Sequence, residues 1–336
     1  GHETWEPRET YLHGGASTWI TGSYDPELDL VYWGTGNAGP WNPVKRRGDN
    51  LYAATILAIR PRTGEIVWHY QVAPNDIWDW DSWEIILGEI PVNGVKRKVA
   101  MHLSRNGFLY VLDRANGQLL SAKPYGKVNW ATHVDMATGR PVESEESKKL
   151  RAGEQIEMWP SINGAKNWQH AAFNPNTGLL YVNTLHRYSK YQFIKLAPYK
   201  PGVRYQGIQN VLSPINQGDV VGHVEAIDPM TAKPKWRVPL RDHQIWAANL
   251  VTGGGLLFTG KHTGEFFAMD ADTGETLWEY RVSSGVNAQP ITWTHQGKQY
   301  VTVLAGLGGL YGARNRERLK DVPLGGSVWT FALFDQ

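Results

Sequence analysis

The chain has 336 residues, a formal net charge of +2 and 41% hydrophobic residues, which suits an ordinary folded core and offers no basic stripe for nucleic acid. It contains no cysteine, which excludes disulfides, zinc–thiolate sites, iron–sulfur clusters, thiol nucleophiles and CxxCH haem attachment. No run of about 18 apolar residues is present, so no membrane-spanning helix is expected.

The opening "GHETWEPRET" carries no signal peptide and reads like the middle of a longer sequence. Tryptophan is abundant, at 16, beside 15 tyrosines and 36 glycines, a balance that leans towards β architecture. In chain order, short apolar runs sit between turn signals: "LDLVYWGTG", "NLYAATILAI", "GEIVWHYQV", "RKVAMHLS", "GFLYVLD", "GLLYVNTL", "GLLFTG", "EFFAMD", "ETLWEYRV" and "QYVTVLAG". Each has strand length and is rich in β-branched or aromatic residues. The Asn-Gly pairs of "PVNGVKRK" and "SRNGFLYV" predict two-residue hairpins. The polar stretch Glu143 to Gln155 reads as a solvated loop with a helical turn.

A frame recurs. "AIRPRTGEIVW" runs from Ala58 to Trp68, "AIDPMTAKPKW" from Ala226 to Trp236, and "AMDADTGETLW" from Ala268 to Trp278. A weaker copy, "VLDRANGQLLS", runs from Val111 to Ser121. The shared pattern is Ala-x-Asp-x-x-Thr-Gly-x-x-x-Trp. It predicts an inner-strand alanine, a tight turn and a tryptophan packed on a neighbouring unit. Repeats of this kind, about 40–50 residues each, indicate an all-β propeller. The expected organisation is a single partial propeller domain over 1–336, with blades near 11–75, 85–124, 165–240, 244–282 and 287–334 and a loop-rich insertion at 125–164.

The frame resembles the tryptophan-docking motif of the quinoprotein alcohol dehydrogenases. "HGGASTW", "VYWGTGNAGPWN", "PNDIWDWD", "SRNGFLYVLDRANG", "GAKNWQ" and "GGSVWTFAL" also follow that family's order. The resemblance implies an eight-bladed propeller that binds pyrroloquinoline quinone (PQQ), of which this chain supplies about four to five blades. The remaining N-terminal blades would come from missing sequence or another chain. Those blades carry, in the family, a metal-binding glutamate and a cofactor-covering disulfide.

By resemblance, Trp19 is the floor on which the quinone stacks, and Ser17 and Thr18 donate to a PQQ carboxylate. Asn37 and Asp79 are metal ligands, and Asp79 is also the catalytic base. Asp81 matches the additional aspartate of lanthanide-dependent members, with Ca²⁺ as the alternative ion. A trivalent cation favours one more carboxylate, so the physics agrees in sign. Arg105 resembles the arginine that donates to the quinone oxygens, Asn167 a PQQ hydrogen-bonding residue and Trp246 the tryptophan along the cofactor edge. Leu310 stands where methanol-oxidising members place a tryptophan, which implies room for a longer alcohol or an aldehyde. Residue type alone leaves other readings open. Trp19 could be a blade-packing tryptophan, Asn37 a turn residue, and Arg105 a surface residue with an ion-pair partner. Asp76 and Glu84, in "NDIWDWDSWE", read as ordinary loop acids, and His13, His102, His170 and His243 as structural residues.

The implied function is oxidation of a primary alcohol to an aldehyde by hydride transfer to metal-activated PQQ. The expected setting is the periplasm, with a cytochrome c as electron acceptor and a homodimer as one arrangement. The alternatives are a non-catalytic propeller for binding or assembly, and an inactive truncated homologue.

Overall fold

The repeated frame folds the same way each time. Ala58 lies directly across from Trp68, Ala226 from Trp236, and Ala268 from Trp278 on antiparallel strands. Val111 and Ser121 of the weaker copy hold the same register. A bulge follows the first of each pair, so the two strands lose register at one fixed point of the turn. In two copies an aspartate sets the turn, while Arg60 holds that position in the first. Asp113 Oδ1 accepts the Ala115 N–H, and Asp270 Oδ1 accepts the N–H groups of Asp272 and Thr273.

The computed structural model describes residues 1–333, the side chains of residues 310 and 311 aside. The chain forms two compact units. The first comprises 1–166, 186–214 and 229–232, and the second comprises 167–185, 215–228 and 233–336.

In the first unit, two four-stranded meanders follow one another. One is built from Ser23–Asp25, Leu30–Gly34, Thr55–Ile59 and Ile66–Gln71. The other is built from Ile86–Val92, Val95–Leu103, Phe108–Asp113 and Leu119–Pro124. Trp68 bridges the two. Its indole donates to Arg114 O at 3.2 Å, and a Cβ on Gly117 would stand 2.7 Å from its ring. Glycine is needed there for contact as well as for its φ of +75°. Ser121, at the tryptophan position of the weaker copy, keeps a polar link in place of the indole and donates to Met230 O at 2.9 Å. The insertion is more ordered than its composition predicts. Ala131–Val134 pairs with Pro141–Glu143, and Ile156–Met158 joins a three-stranded sheet with Ser189–Phe193 and Ile208–Leu212. The polar stretch forms a genuine α-helix, Glu145–Arg151. Ser144 caps it by accepting the Ser147 N–H, and acidic residues open it while basic ones close it.

The second unit holds two more four-stranded meanders and one of three strands. The four-stranded sheets are Ala172–Asn174, Leu179–Leu185, Val220–Ile227 and Pro234–Arg241, then Leu250–Val251, Leu256–Gly260, Glu265–Asp270 and Thr276–Arg281. The last comprises Ile291–His295, Lys298–Gly306 and Gly326–Ala332. Trp236 docks as Trp68 does, with its indole donating to Ala271 O at 2.9 Å and its ring against Gly274. Trp278 instead remains 37% exposed. Each unit has its own core. Tyr32, Ile56, Trp78, Trp80 and Tyr110 fill the first, and Tyr181, Val224, Leu257, Phe266 and Val303 fill the second.

Candidate active site

The segment from Asp76 to Glu84 links the two four-stranded sheets of the first unit. It is irregular, because its N–H groups are taken by side chains and loop carbonyls rather than by a neighbouring strand. The Ser82 N–H donates to Thr35 O at 3.0 Å, and this close approach requires Gly34. Any Cβ at Gly34 would collide with the Ser82 carbonyl. Ile77, Trp78, Trp80 and Trp83 are all buried. Trp78 and Trp80 stack with centroids 5.2 Å apart, and Trp80 packs on Trp130 at 4.6 Å.

With the indoles turned into the core, the carboxylates converge on one guanidinium. Arg105, at the tight turn before Phe108–Asp113, donates to Asp79 at 3.2 Å and to Asp81 at 3.4 Å. It also donates to the Ile162 carbonyl and lies over the Trp83 ring at 5.0 Å. The Asn37 N–H donates to Asp81 Oδ1 at 2.5 Å, while its side-chain amide donates to Ala38 O at 3.0 Å. Burial pushes the Asp81 carboxyl well above its ordinary range, and Arg105 opposes that shift. Asp79 is only partly buried and has φ +67°, a left-handed conformation uncommon for a residue with a Cβ.

The glycine-rich segment runs beside Asn37. Gly36 N–H donates to Ser17 O at 2.7 Å, and Ala16 N–H donates to Asn37 O at 2.9 Å. Ser17 and Thr18 are exposed, and Trp33 Nε1 donates to Thr18 O at 3.4 Å. Trp19 is 53% exposed and meets Trp83 edge-on at 5.2 Å. Contacts therefore run from Trp19 through Trp83 and Arg105 to Asp79 and Asp81, and on to Asn37.

Two side chains that read as loop acids are not so. Asp76 and Glu84 are both buried. Asp76 takes two backbone N–H groups and lies near buried Arg46; burial pushes its carboxyl up to about 7 against the pull of Arg46. Glu84 pairs with buried Lys166 at 2.9 Å, and its carbonyl bonds His102 Nδ1 at 3.0 Å. His102 stays neutral, because burial lowers its pKa to about 3. Sequence reasoning missed Asp76, Glu84 and Lys166. The only signal available was the apolar flanking of each acid.

Asn167 and Trp246 belong to the second unit. Asn167 is buried, and its side chain accepts the Trp168 N–H at 3.0 Å. The Trp168 ring meets Trp246 edge-on at 4.7 Å, and Trp246 is buried with Leu185, Leu307 and Leu319. Leu310 lies outside the described residues.

A cation and a flat anionic ring fit the first-unit residues. Asp79 and Asp81 bring two carboxyl groups to one arginine, and a bound cation would hold both ionised. Arg105 Nε, Trp80 Nε1, Ser82 Oγ and Trp83 Nε1 are buried donors with no partner in the described structure. Among the described residues no group of three His, Cys, Asp or Glu side chains could hold a metal by itself. Further oxygen ligands must complete such a site.

The family model for the β-propeller domain of PQQ-linked glucose/ethanol/alcohol dehydrogenases matches residues 1–128 and 215–301. The quinohemoprotein alcohol dehydrogenase ADH IIB of Pseudomonas putida is 42% identical, over 97% of this chain and 49% of its own length. The lanthanide-dependent methanol dehydrogenase of Methylacidiphilum fumariolicum is 41% identical, over 93% of this chain and 51% of its own length. A solved europium-containing methanol dehydrogenase superposes with TM-score 0.91 at 38% identity, covering 98% of this chain and 61% of that one. The chain spans about half the length of the curated relatives it matches. It belongs to the PQQ-dependent glucose/ethanol/alcohol dehydrogenase family, and its four four-stranded sheets and three-stranded fifth are blades of that family's β-propeller domain.

Proposed function

We propose that the protein containing this chain is an alcohol dehydrogenase that oxidises a primary alcohol to an aldehyde with PQQ and a lanthanide ion. The observation that carries the reading is the convergence of Asp79 and Asp81 on Arg105, with Asn37 bonded to Asp81. When bound, PQQ accepts the hydride and the metal polarises its carbonyl.

Asn37, Asp79 and Asp81 would hold the metal, and Trp19 would supply the flat surface for the ring. Ser17 and Thr18 would add to the cofactor's contacts within the first unit. Asp79 is the base: it takes the hydroxyl proton of the alcohol as the C–H bond gives up its hydride. Arg105 neutralises part of the carboxylate charge and offers N–H donors to a ring oxygen. Trp80 and Trp83, buried beside these groups, exclude water from them. Asp81 tilts the choice of ion to a trivalent lanthanide over Ca²⁺ through its added negative charge. One relative's name, lanthanide-dependent methanol dehydrogenase, and one solved structure's title, europium-containing methanol dehydrogenase, support that choice. The protein acts in the periplasm and passes its electrons to a cytochrome c. Its best substrates are C2–C6 alcohols rather than methanol.

Reconstitution tests the reading. The full protein is loaded with PQQ and La³⁺ or Ca²⁺, and dye reduction is followed across an alcohol series. Activity with La³⁺ that disappears in Asp81→Ala is expected. Equal activity with Ca²⁺ alone overturns the lanthanide assignment, and turnover of methanol far above that of longer alcohols overturns the substrate preference.

A further inference from the structure

Asp76 is the most deeply buried acid of its segment, at 1% exposure, and it touches neither Arg105 nor the other two aspartates through a hydrogen bond. Its carboxylate is spent on the backbone. Oδ1 accepts the Trp78 N–H at 3.1 Å and Oδ2 accepts the Trp80 N–H at 3.2 Å. Those two amides stand on either side of Asp79. A single carboxylate that holds both draws the chain into a tight turn with Asp79 at its outer point. The φ of +67° at Asp79 is the backbone consequence. A left-handed conformation is costly for a residue with a Cβ, so the surrounding structure must impose it.

The base of the turn is fixed as well. The Asp76 carbonyl accepts from buried Arg46. Arg46 is itself held by Pro40 O at 2.8 Å and Asn50 Oδ1 at 2.6 Å. The next carbonyl, of Ile77, accepts from buried Tyr191 Oη at 2.7 Å. The segment is thus anchored at residues 76 and 77 through carbonyls and at 78 and 80 through N–H groups. The residue between the last two is left with its side chain directed to Arg105.

We propose that Asp76 is the positioning residue of this site: its carboxylate sets the turn at Asp79 and so aims the Asp79 carboxylate at Arg105 and the metal. The proposal rests on the reading of Asp79 as metal ligand and base. Asp76 holds the site through the backbone amides on either side of Asp79 and touches no reacting atom.

A purely structural buried acid is available for contrast. Asp25 is also buried, accepts the Glu27 N–H at 2.9 Å and pairs with Arg114 at 2.8 Å. No site residue lies within its turn.

The test compares Asp76→Asn and Asp25→Asn in the full protein. Asparagine keeps the size and one acceptor oxygen but turns an NH₂ towards the second amide. Tb³⁺ is the probe, its emission sensitised by the neighbouring tryptophans, and hydrogen exchange of residues 77–83 is measured in parallel. Asp76→Asn is expected to weaken Tb³⁺ binding about 10–100-fold, as loss of a group that orients a metal ligand does. It should also speed exchange at Trp78 and Trp80. Asp25→Asn should lower the unfolding temperature and change neither. Should Asp76→Asn fail to fold, Arg46→Lys loosens the same anchor more gently and is expected to raise exchange in 77–83 and weaken Tb³⁺ binding several-fold. The proposal falls if Asp76→Asn lowers the unfolding temperature while Tb³⁺ affinity and local exchange stay at the wild-type values. If the wild type binds no Tb³⁺ but exchange at 78 and 80 still rises in the variant, the metal reading fails and the turn-setting role of Asp76 stands.

Discussion

Two loops stand at the same distance after a docked tryptophan, one in each unit. Ile77-Trp78-Asp79-Trp80-Asp81 follows Trp68, and Ile245-Trp246-Ala247-Ala248-Asn249 follows Trp236. Both bury the isoleucine and the first indole. In the first loop the next positions are carboxylates that meet Arg105. In the second they are an alanine and an asparagine that meet backbone. The Ala247 carbonyl accepts from Asn183 at 2.9 Å, and Asn249 donates to Tyr181 O at 3.1 Å. Gln244 holds the place of Asp76 and donates to Val221 O at 3.3 Å. Asp79 is left-handed and Ala247 is not. Two copies of the repeat therefore carry a buried Ile-Trp corner after the docking strand. The chemistry lies in the side chains placed on that corner and in the partners waiting for them.

The comparison breaks most sharply at the acids. In the reconstituted full protein, Asp79→Ala is expected to lower kcat about 10²–10⁴-fold, the usual worth of a general base. Adding Ala247→Asp to that variant should restore nothing. On its own, Ala247→Asp places a carboxyl at a fully buried position without an arginine, and should destabilise the fold by about 3 kcal/mol in urea unfolding. Recovered turnover in the double variant would mean that the corner, and not its partners, makes the site.

The docking tryptophans sharpen the structural half. Trp236→Ala removes a ring packed on Gly274 and its bond to Ala271, and should cost about 3–5 kcal/mol of unfolding free energy. Trp278 occupies the same register but is more than a third exposed, so Trp278→Ala should cost about 1–2 kcal/mol. Equal losses would show that Trp278 is covered in the full protein. A smaller effect is expected from Arg105→Lys. A lysine keeps the charge but cannot bridge Asp79, Asp81 and the Ile162 carbonyl together, and turnover should fall about tenfold with little change in unfolding temperature.

What the sequence disclosed follows the range of the forces involved. The alanine–tryptophan frame was legible because its register depends on a turn a few residues long and on one bulge. The first-unit contacts among Asn37, Asp79, Asp81 and Arg105 were legible only as a motif; nothing in the spacing of these residues brings them together. Asp76, Glu84 and Lys166 were illegible for a related reason. Whether an acid is buried depends on its partner, and the partners Arg46 and Lys166 lie far along the chain from Asp76 and Glu84. The helix Glu145–Arg151 was under-read because its cap, Ser144, is also tied to Asn129 O across the insertion. That tertiary anchor makes a short polar helix stable.

The smallest expected effect concerns one feature the two units share. His102 in the first and His262 in the second are both buried, and burial lowers the pKa of each to about 3. The unfolded chain binds a proton at each near the ordinary value of about 6.5, while the folded chain does not. Their contribution to stability is therefore complete above pH about 6.5 and is lost as pH falls towards 3. Asp76 works in the opposite sense. Its folded carboxyl holds a proton up to about 7 that the unfolded one has released by about 4, so its contribution declines as pH rises through that window. Between pH 4 and 6.5 the first unit thus carries one histidine and one aspartate of opposing slope, and the second carries a histidine in that role. His262→Gln should flatten the acid limb of a urea-unfolding series by up to about 1.4 kcal/mol per pH unit, the worth of one proton. His102→Gln should flatten the limb by the same amount, leaving the remaining slopes of His262 and Asp76 to cancel between pH 4 and 6.5.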